Sequence, residues 1–497
     1  MGAFSPSFLL SASLLRGKRM PDLRFLGRVF VAFLARLGFA LIGGLAAAQT
    51  IQPIYTFTNS GFSSLRNANG DLILGSNGDF YGTTEYGGSG GFGTVFRFGQ
   101  SGDLTVLANF SGSTGGNPSG ELAFGPDGSI YGTTFFAGPG GNGTVFRVTT
   151  NGDLTILYSF SKIVWNGSYY TNADGAKPYA GLTLGPDACF YGATSEGGSG
   201  GTGTLFRITT NGLPTTIFSF EALPVGGTNV TGAAPYARLT LGPDGSLYGT
   251  TFIGGGKSDG TIFRVRTNGS FTLLATFVGP NGNGPQRGMI VGPDNSLYGT
   301  TLNGGIYGDE GTVFKMTTNG VLTTLVSFNF DTGTAPKAGV TFGPDGNLYG
   351  TTTASSSLQT GAWGTVFRLT TNGVLTTLAN FYATNGSMPE ASLTLGSNGN
   401  LYGTTWAGGN DTNGAGEIYR VNLTPSISIS RGAGGAVVLN LASTLRATNR
   451  LWTATNTSLP MGQWDLLTTM VATNGFSQFT DTNTSGIQTR FYRVSTP

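Results

Sequence analysis

The phrase GPDGSLYGTT, Gly242 to Thr251, followed by GTIFRV, Gly260 to Val265, decides the fold. Its Tyr-Gly recurs at Tyr81, Tyr131, Tyr191, Tyr248, Tyr298, Tyr349 and Tyr402, at spacings of 50, 60, 57, 50, 51 and 53 residues. The second phrase keeps step, ending in Phe96-Arg97, Phe146-Arg147, Phe206-Arg207, Phe263-Arg264, Phe314-Lys315, Phe367-Arg368 and Tyr419-Arg420. A period near fifty residues marks a repeat architecture, whose units bury their apolar faces against one another. Each unit holds four short apolar runs; in the second these are Leu122 to Phe124, Ile130-Tyr131, Val145 to Val148 and Leu154 to Phe160. Runs this short, rich in β-branched and aromatic residues and bounded by Gly, Pro, Asn and Asp, read as strands. The GPDG between the first and second supplies proline's fixed φ, a side chain that bonds its own backbone, and a glycine for positive φ. The Asn-Gly between the third and fourth suits a tight hairpin. Four antiparallel strands in each of seven units predict an all-β, seven-bladed β-propeller over residues 49–425.

A ring needs its ends joined. Six units finish their fourth strand in Phe, at Phe110, Phe160, Phe220, Phe277, Phe328 and Phe381, whereas the seventh stops at Asn422 to Pro425. The missing strand lies at the other end, as Ile54-Tyr55-Thr56-Phe57. The N-terminal strand is therefore expected to complete the last blade and leave no open edge. The aromatic positions of each unit, Tyr131, Phe146 and Phe160 in the second, are expected to stack between neighbouring blades.

Residues 1–48 read as an export signal. Arg16, Lys18, Arg19, Arg24 and Arg28 precede the apolar run Leu37 to Leu45, and Ala46 to Ala48 offer a small-residue cleavage site. A start at Met20 gives a more usual length. The run is too short for a comfortable membrane span, so the expected location is secreted or at the cell envelope. The segment holds six basic residues and one acidic, leaving 20 basic against 23 acidic beyond it. No basic stripe then remains for nucleic acid or an anionic membrane. Beyond Pro425 the repeat ends, and six alternating apolar runs over 426–497 predict a small, immunoglobulin-like β-sandwich. Cys189, the sole cysteine, excludes a disulfide framework and stands where other units have Ser, as a packed thiol.

Topology places the short GPDG and TNG turns on one face, and the loops between strands two and three, with the segments between blades, on the other. Variation concentrates on that second face, where binding loops belong. Tyr86, Phe136, Tyr307, Trp363 and Trp406 lie in its loops, and Trp165, Tyr169 and Tyr170 in the insertion Ser161 to Lys177. A second insertion runs from Glu221 to Ala234. Tyr179, Tyr236 and Arg238 follow the prolines that open the first strands, with Glu121, Arg287, Lys337 and Glu390 at matching places around the channel. Aromatics among Asn, Ser and Thr suit the apolar faces and hydroxyls of a sugar chain; the plainer reading is that they cover blade edges. Mixed charges at the channel mouth are expected to be solvated.

The chain has no histidine, which removes the commonest general base and metal ligand. No metal or cofactor set is legible. Carboxylates could still cleave glycosides, and Glu85, Glu196, Asp259, Asp309, Glu310 and Asp411 sit in the variable loops. The pattern GPDGSLYGTT…GG…GTVFRVTTNGxLTTLxSF, in seven variants over residues 50–425, resembles the Gloeo/Verruco (GloVer) tandem repeat of exported bacterial proteins. That resemblance implies a propeller with a varied C-terminal part and no defined activity. The diglycine is also similar to kelch units, without their following Trp, and the GPDG turn to virginiamycin B lyase-like propellers, whose catalytic His has no counterpart. The expectation is an exported monomer, without cofactor, that binds polysaccharide or a surface protein. A carboxylate-dependent glycan-cleaving enzyme and a purely structural role are the alternatives.

Overall fold

A glycine and a phenylalanine set the spacing inside each blade. Gly132 faces Phe146 across the two middle strands of the second blade, and a Cβ there would lie 2.6 Å from the tip of that ring. Gly82 and Phe96, Gly192 and Phe206, and Gly249 and Phe263 repeat the arrangement. The glycine of each Tyr-Gly thus leaves room for the ring that crosses it, as close approaches in strands often require.

The computed structural model describes residues 51–58, 61, 63–223, 229–354, 362–409 and 414–423, and six strands beyond residue 425. The export signal read at 1–48 lies outside the described residues. The described chain forms a seven-bladed β-propeller, each blade a four-stranded antiparallel sheet. The second blade runs Ala123–Phe124, Ile130–Thr134, Thr144–Val148 and Leu154–Ser159 in sheet order. Its second strand continues through Gly-Thr-Thr, beyond the apolar Ile130-Tyr131. The reason is a buried hydroxyl pair: Thr134 Oγ1 lies 2.8 Å from Thr144 Oγ1, and Thr84 with Thr94 and Thr251 with Thr261 match it at 2.8 and 2.7 Å. A buried hydroxyl that finds a partner can continue a core strand.

The phrase's polar residues are structural too. On the short-turn face Asp127 accepts hydrogen bonds from Tyr131 Oη at 3.2 Å and Arg147 Nε at 2.9 Å. Asp187 does the same for Tyr191 and Arg207 at 3.0 and 2.8 Å. Asp294 accepts from Tyr298 at 3.0 Å and pairs with Lys315 at 2.6 Å. Turn, second strand and third strand are pinned together in each case.

The core lies between blades. Tyr131, Val145 and Phe160 of blade two pack with Leu182, Phe190 and Phe206 of blade three. The Phe that ends each fourth strand meets the third-strand ring of the next blade edge-on: Phe110 with Phe146 at 4.9 Å, Phe160 with Phe206 at 5.3 Å, Phe381 with Tyr419 at 4.9 Å. Phe57 meets Phe96 in the same way at 5.8 Å, so the contact series closes on itself.

Closure is by the N-terminal strand, which pairs antiparallel with Glu417–Val421. It spans Ile51–Thr56, three residues earlier than the apolar run suggested, and contains Pro53 at a bulge in the register. Proline is tolerated there because the strand is the outermost of its blade and owes no hydrogen bond on its open side. Thr56 Oγ1 donates to Glu417 Oε1 at 3.3 Å; Glu417, fully buried, takes the place of the second threonine of other blades.

The insertion after Ser161, read as loop, holds a hairpin of Val164–Trp165 with Tyr170–Thr171. Cys189 is buried and free. Beyond residue 425, Ser426–Arg431, Val437–Ala442 and Phe476–Asp481 form one antiparallel sheet, and Asp465–Val471, Thr448–Ala454 and Phe491–Ser495 another. Among the described residues no helix is long and apolar enough to cross a membrane.

Candidate functional site

Backbone pairing gathers the variable segments on one face. Each segment entering a blade bridges to that blade's loop between strands two and three: Gly116 to Phe136, Ala176 to Glu196, Ala233 to Ile253 and Asn283 to Asn303. The aromatic residues in these segments are brought together over blades two to four. Phe135 meets Tyr179 at 5.8 Å, Tyr179 meets Tyr236 at 5.5 Å, and Tyr236 meets Phe252 at 5.4 Å, all edge-to-face. All four rings are half-buried, so they form an arc beside the channel mouth with surface left to offer. The Lys177 ammonium lies 5.9 Å from the centre of the Phe135 ring and pairs with Glu196 at 2.7 Å.

The hairpin adds a second aromatic group. Trp165 and Tyr170 stand directly opposite one another, their rings 5.3 Å apart and 58% and 57% exposed. Asn166 Oδ1 accepts from the amides of Ser168 and Tyr169 and shapes the turn. Tyr169 points the other way and anchors the hairpin, its hydroxyl donating to the Ser199 carbonyl at 3.1 Å. The remaining predicted aromatics lie outside the arc. Phe136 packs on Phe92 at 5.9 Å, the Arg66 guanidinium lies over Tyr86 at 5.6 Å, Tyr307 and Trp363 are exposed, and Trp406 is half-buried.

The loop carboxylates are spread among local tasks. Glu196 is held by Lys177, Asp259 accepts the Gly279 amide at 2.8 Å, and Asp309 accepts the Gly304 amide at 3.3 Å. Glu310 contributes its backbone carbonyl to the Ala335 amide at 2.9 Å, and Asp411 lies outside the described residues. Among the described ones Glu85 alone turns to the channel, accepting from Asn69 Nδ2 at 3.0 Å. Burial pushes its carboxyl above the ordinary range, against the Asn69 hydrogen bond that lowers it.

The charges at the channel mouth are not solvated, contrary to expectation. Arg287 is 6% exposed. Its Nη2 donates to the Asn69 carbonyl at 2.9 Å, to Asn69 Oδ1 at 3.0 Å and to the Glu390 carbonyl at 3.0 Å. One guanidinium therefore ties blade five to blades one and seven across the ring's centre. Lys337 pairs with Glu390, Asp71 Oδ1 accepts the Ser392 amide at 2.7 Å, and Arg238 Nε lies 2.6 Å from Glu121 Oε2 without the alignment of a hydrogen bond. The cause is convergence: seven first strands enter one narrow space, where a charge survives only with partners. Burial pushes Glu121 up to about 7; Arg238 opposes this, and the negative charge of Asp71 adds to it. Arg287 is held above its ordinary value, since Asp71, Tyr179, Glu121 and Glu390 outweigh the burial that would lower it.

Asn69, Asp71 and Phe252 escaped the sequence reading. Asn69 and Asp71 both precede the first strand of blade one, Asn69 at the place of Tyr179, Tyr236, Lys337 and Glu390 and Asp71 at that of Glu121 and Arg238, and the repeat register alone could have found them. Among the described residues no group of three His, Cys, Asp or Glu side chains gathers as a metal site would need.

No curated protein sequence matches the chain. Among solved structures it is similar to a periplasmic gluconolactonase of Pseudomonas aeruginosa, at 16% identity over 83% of this chain and 98% of that one, with a TM-score of 0.40. It is similar to an ulvan lyase of a polysaccharide lyase family at 10% identity over 73% and 95%, TM-score 0.45. A gluconolactonase of Xanthomonas campestris matches at 12% identity over 76% and 99%, TM-score 0.35. The sequence model of the Gloeobacter/Verrucomicrobia repeat matches residues 45–241, 167–308 and 234–458, overlapping stretches that take in the whole ring. By that match, and by the phrase on which every blade is built, the chain belongs to the Gloeobacter/Verrucomicrobia repeat family.

Proposed function

We propose that this protein is an exported binding protein whose variable-loop face holds a polysaccharide chain. The observation that carries the reading is the aromatic arc of Phe135, Tyr179, Tyr236 and Phe252, four half-buried rings in edge contact beside the channel mouth. Rings fixed by one another offer apolar area at little entropic cost on binding, which is what a sugar's apolar face asks of a partner. Glu196 and Lys177 stand near the arc as hydrogen-bonding groups for hydroxyls. The exposed Trp165 and Tyr170 extend the surface outward, on a hairpin anchored by Tyr169. The sheets beyond residue 425 serve in this reading as a small β-sandwich module, and residues 1–48 as the signal removed on export.

A glycan-cleaving enzyme would rest on the Asp71–Glu121 pair, one of whose carboxyls is raised to about 7. Glycosidase carboxyl pairs stand roughly 5–9.5 Å apart with sugar or water between them. Glu121 is buried against Arg238, and Asp71 accepts the Ser392 amide, so both carboxyls are engaged within the ring, which favours the binder.

The test is retention of residues 49–497 on immobilised polysaccharides, with reducing ends assayed alongside. Expected is retention without cleavage, weakened about tenfold or more by Tyr236→Ala or Trp165→Ala, as for aromatic anchors at other interfaces. Retention indifferent to both substitutions would remove the face from consideration. Release of new reducing ends would put the enzyme first.

A further inference from the structure

A cavity of about 470 Å³ lies inside the ring, walled by the first strands of blades one to five. That volume is in the range of small-molecule sites, about 300–1,000 Å³. Its walls are apolar: Ile73, Phe124, Leu241, Ile290 and Val291 all line it and all remain half-buried, so apolar surface faces the space. The wall threonines add no free polar group, since Thr183 donates to the Leu239 carbonyl and Thr240 to that of Met289. These bonds stitch neighbouring blades together.

A single charge lines the cavity, Arg238. Its ion pair with Glu121 is lopsided, because the Glu121 side chain is 8% exposed and that of Arg238 33%. Glu121 is enclosed while the guanidinium keeps an open side. Arg238 stands at the loop-face end of its strand and Leu241 at the turn end, so the space runs from a cation to purely apolar wall.

We propose that this cavity binds an amphiphilic monocarboxylate, a molecule with a fatty-acid-like apolar body and one acid group. The apolar body would lie against the first strands and the carboxylate on the open side of Arg238. A guanidinium has five donors and can serve two carboxylates at once. A sugar would find too few hydrogen-bonding groups on these walls, and a cationic head would meet Arg238. The site is separate from the aromatic arc, so neither reading depends on the other.

Dodecanoate, below its micelle threshold, would be titrated calorimetrically into the chain, with dodecanol and dodecyltrimethylammonium as head-group comparisons. Expected is one saturable site for dodecanoate and weaker binding of the cation. Arg238→Gln should weaken dodecanoate about tenfold, the scale of one charge-assisted hydrogen bond, and leave dodecanol unchanged. Ala123→Trp, which fills the cavity from its wall, should abolish both; Ile73→Trp serves the same end should the first variant fail to fold. Unsaturable uptake, binding that survives the filled cavity, or dodecanoate indifferent to Arg238→Gln would each overturn the proposal.

Discussion

Gly132 and Phe146 show how a repeat phrase is enforced one atom at a time. A methyl group at Gly132 would stand 2.6 Å from a ring with no exposed surface, and overpacking of this kind costs ~1–3 kcal/mol. Gly132→Ala should lose that much in urea unfolding. Gly132→Ala with Phe146→Leu should lose less than the two single changes added together, because they share one space. Strict additivity would mean that the ring does not dictate the glycine. The sequence displayed the glycine seven times and the phenylalanine six, with Tyr419 in the seventh unit, and their reading as marks of the repeat was sound. What it hid was the reason, since Gly132 meets Phe146 only once the register of two strands is known. The same holds for Asp127 and Arg147, 20 residues apart, which read as parts of a turn and a strand and prove to be two ends of one bond.

Among the elements, the N-terminal strand was legible from bookkeeping alone: six terminal phenylalanines, a seventh unit cut short, and a spare strand ahead of the first. Its bounds were not, because Pro53 reads as a breaker until the strand is known to be outermost. A chain lacking residues 51–57 is expected to lose its single cooperative thermal transition and to self-associate through the exposed Glu417–Val421 edge. A synthetic IQPIYTF peptide should restore the transition in circular dichroism. An unchanged melt without the strand would refute closure by this element. The hairpin at Val164–Thr171 was the harder case. Its strands are two residues each, too short for any periodicity, and what fixes them is Tyr169 and Thr171 bonding to Ser199 and Gly198 of the next blade.

At the scale of the whole molecule the channel network could not be read from the chain, because its members come from blades spread around the ring. Asp71 and Ser392 are 321 residues apart, and only the closed propeller makes them neighbours. The network carries a pH signature. Glu121 is raised in the folded protein from its ordinary 4.5 to about 7, so its contribution to stability is full below about 4.5 and is lost as pH rises through 7. Asp294 runs the other way: lowered to about 2, chiefly by Lys315 against the effect of burial, it stabilises above its unfolded value and loses that as pH falls towards 2. Melting temperatures across pH 4.5 to 8 should therefore carry a downward component that Glu121→Gln removes. An identical profile in the variant would place the titration elsewhere. Closure also has a cost in time. Thr56 is made 361 residues before Glu417, its partner, and at about 5–20 residues per second that interval lasts roughly 20 to 70 seconds. Six blades can assemble in the order of their synthesis while the first strand waits, apolar and unpaired, for a partner not yet made. A chain halted before Glu417 can never become this ring, and whatever shelters the nascent chain must cover Ile51 to Phe57 longest of all.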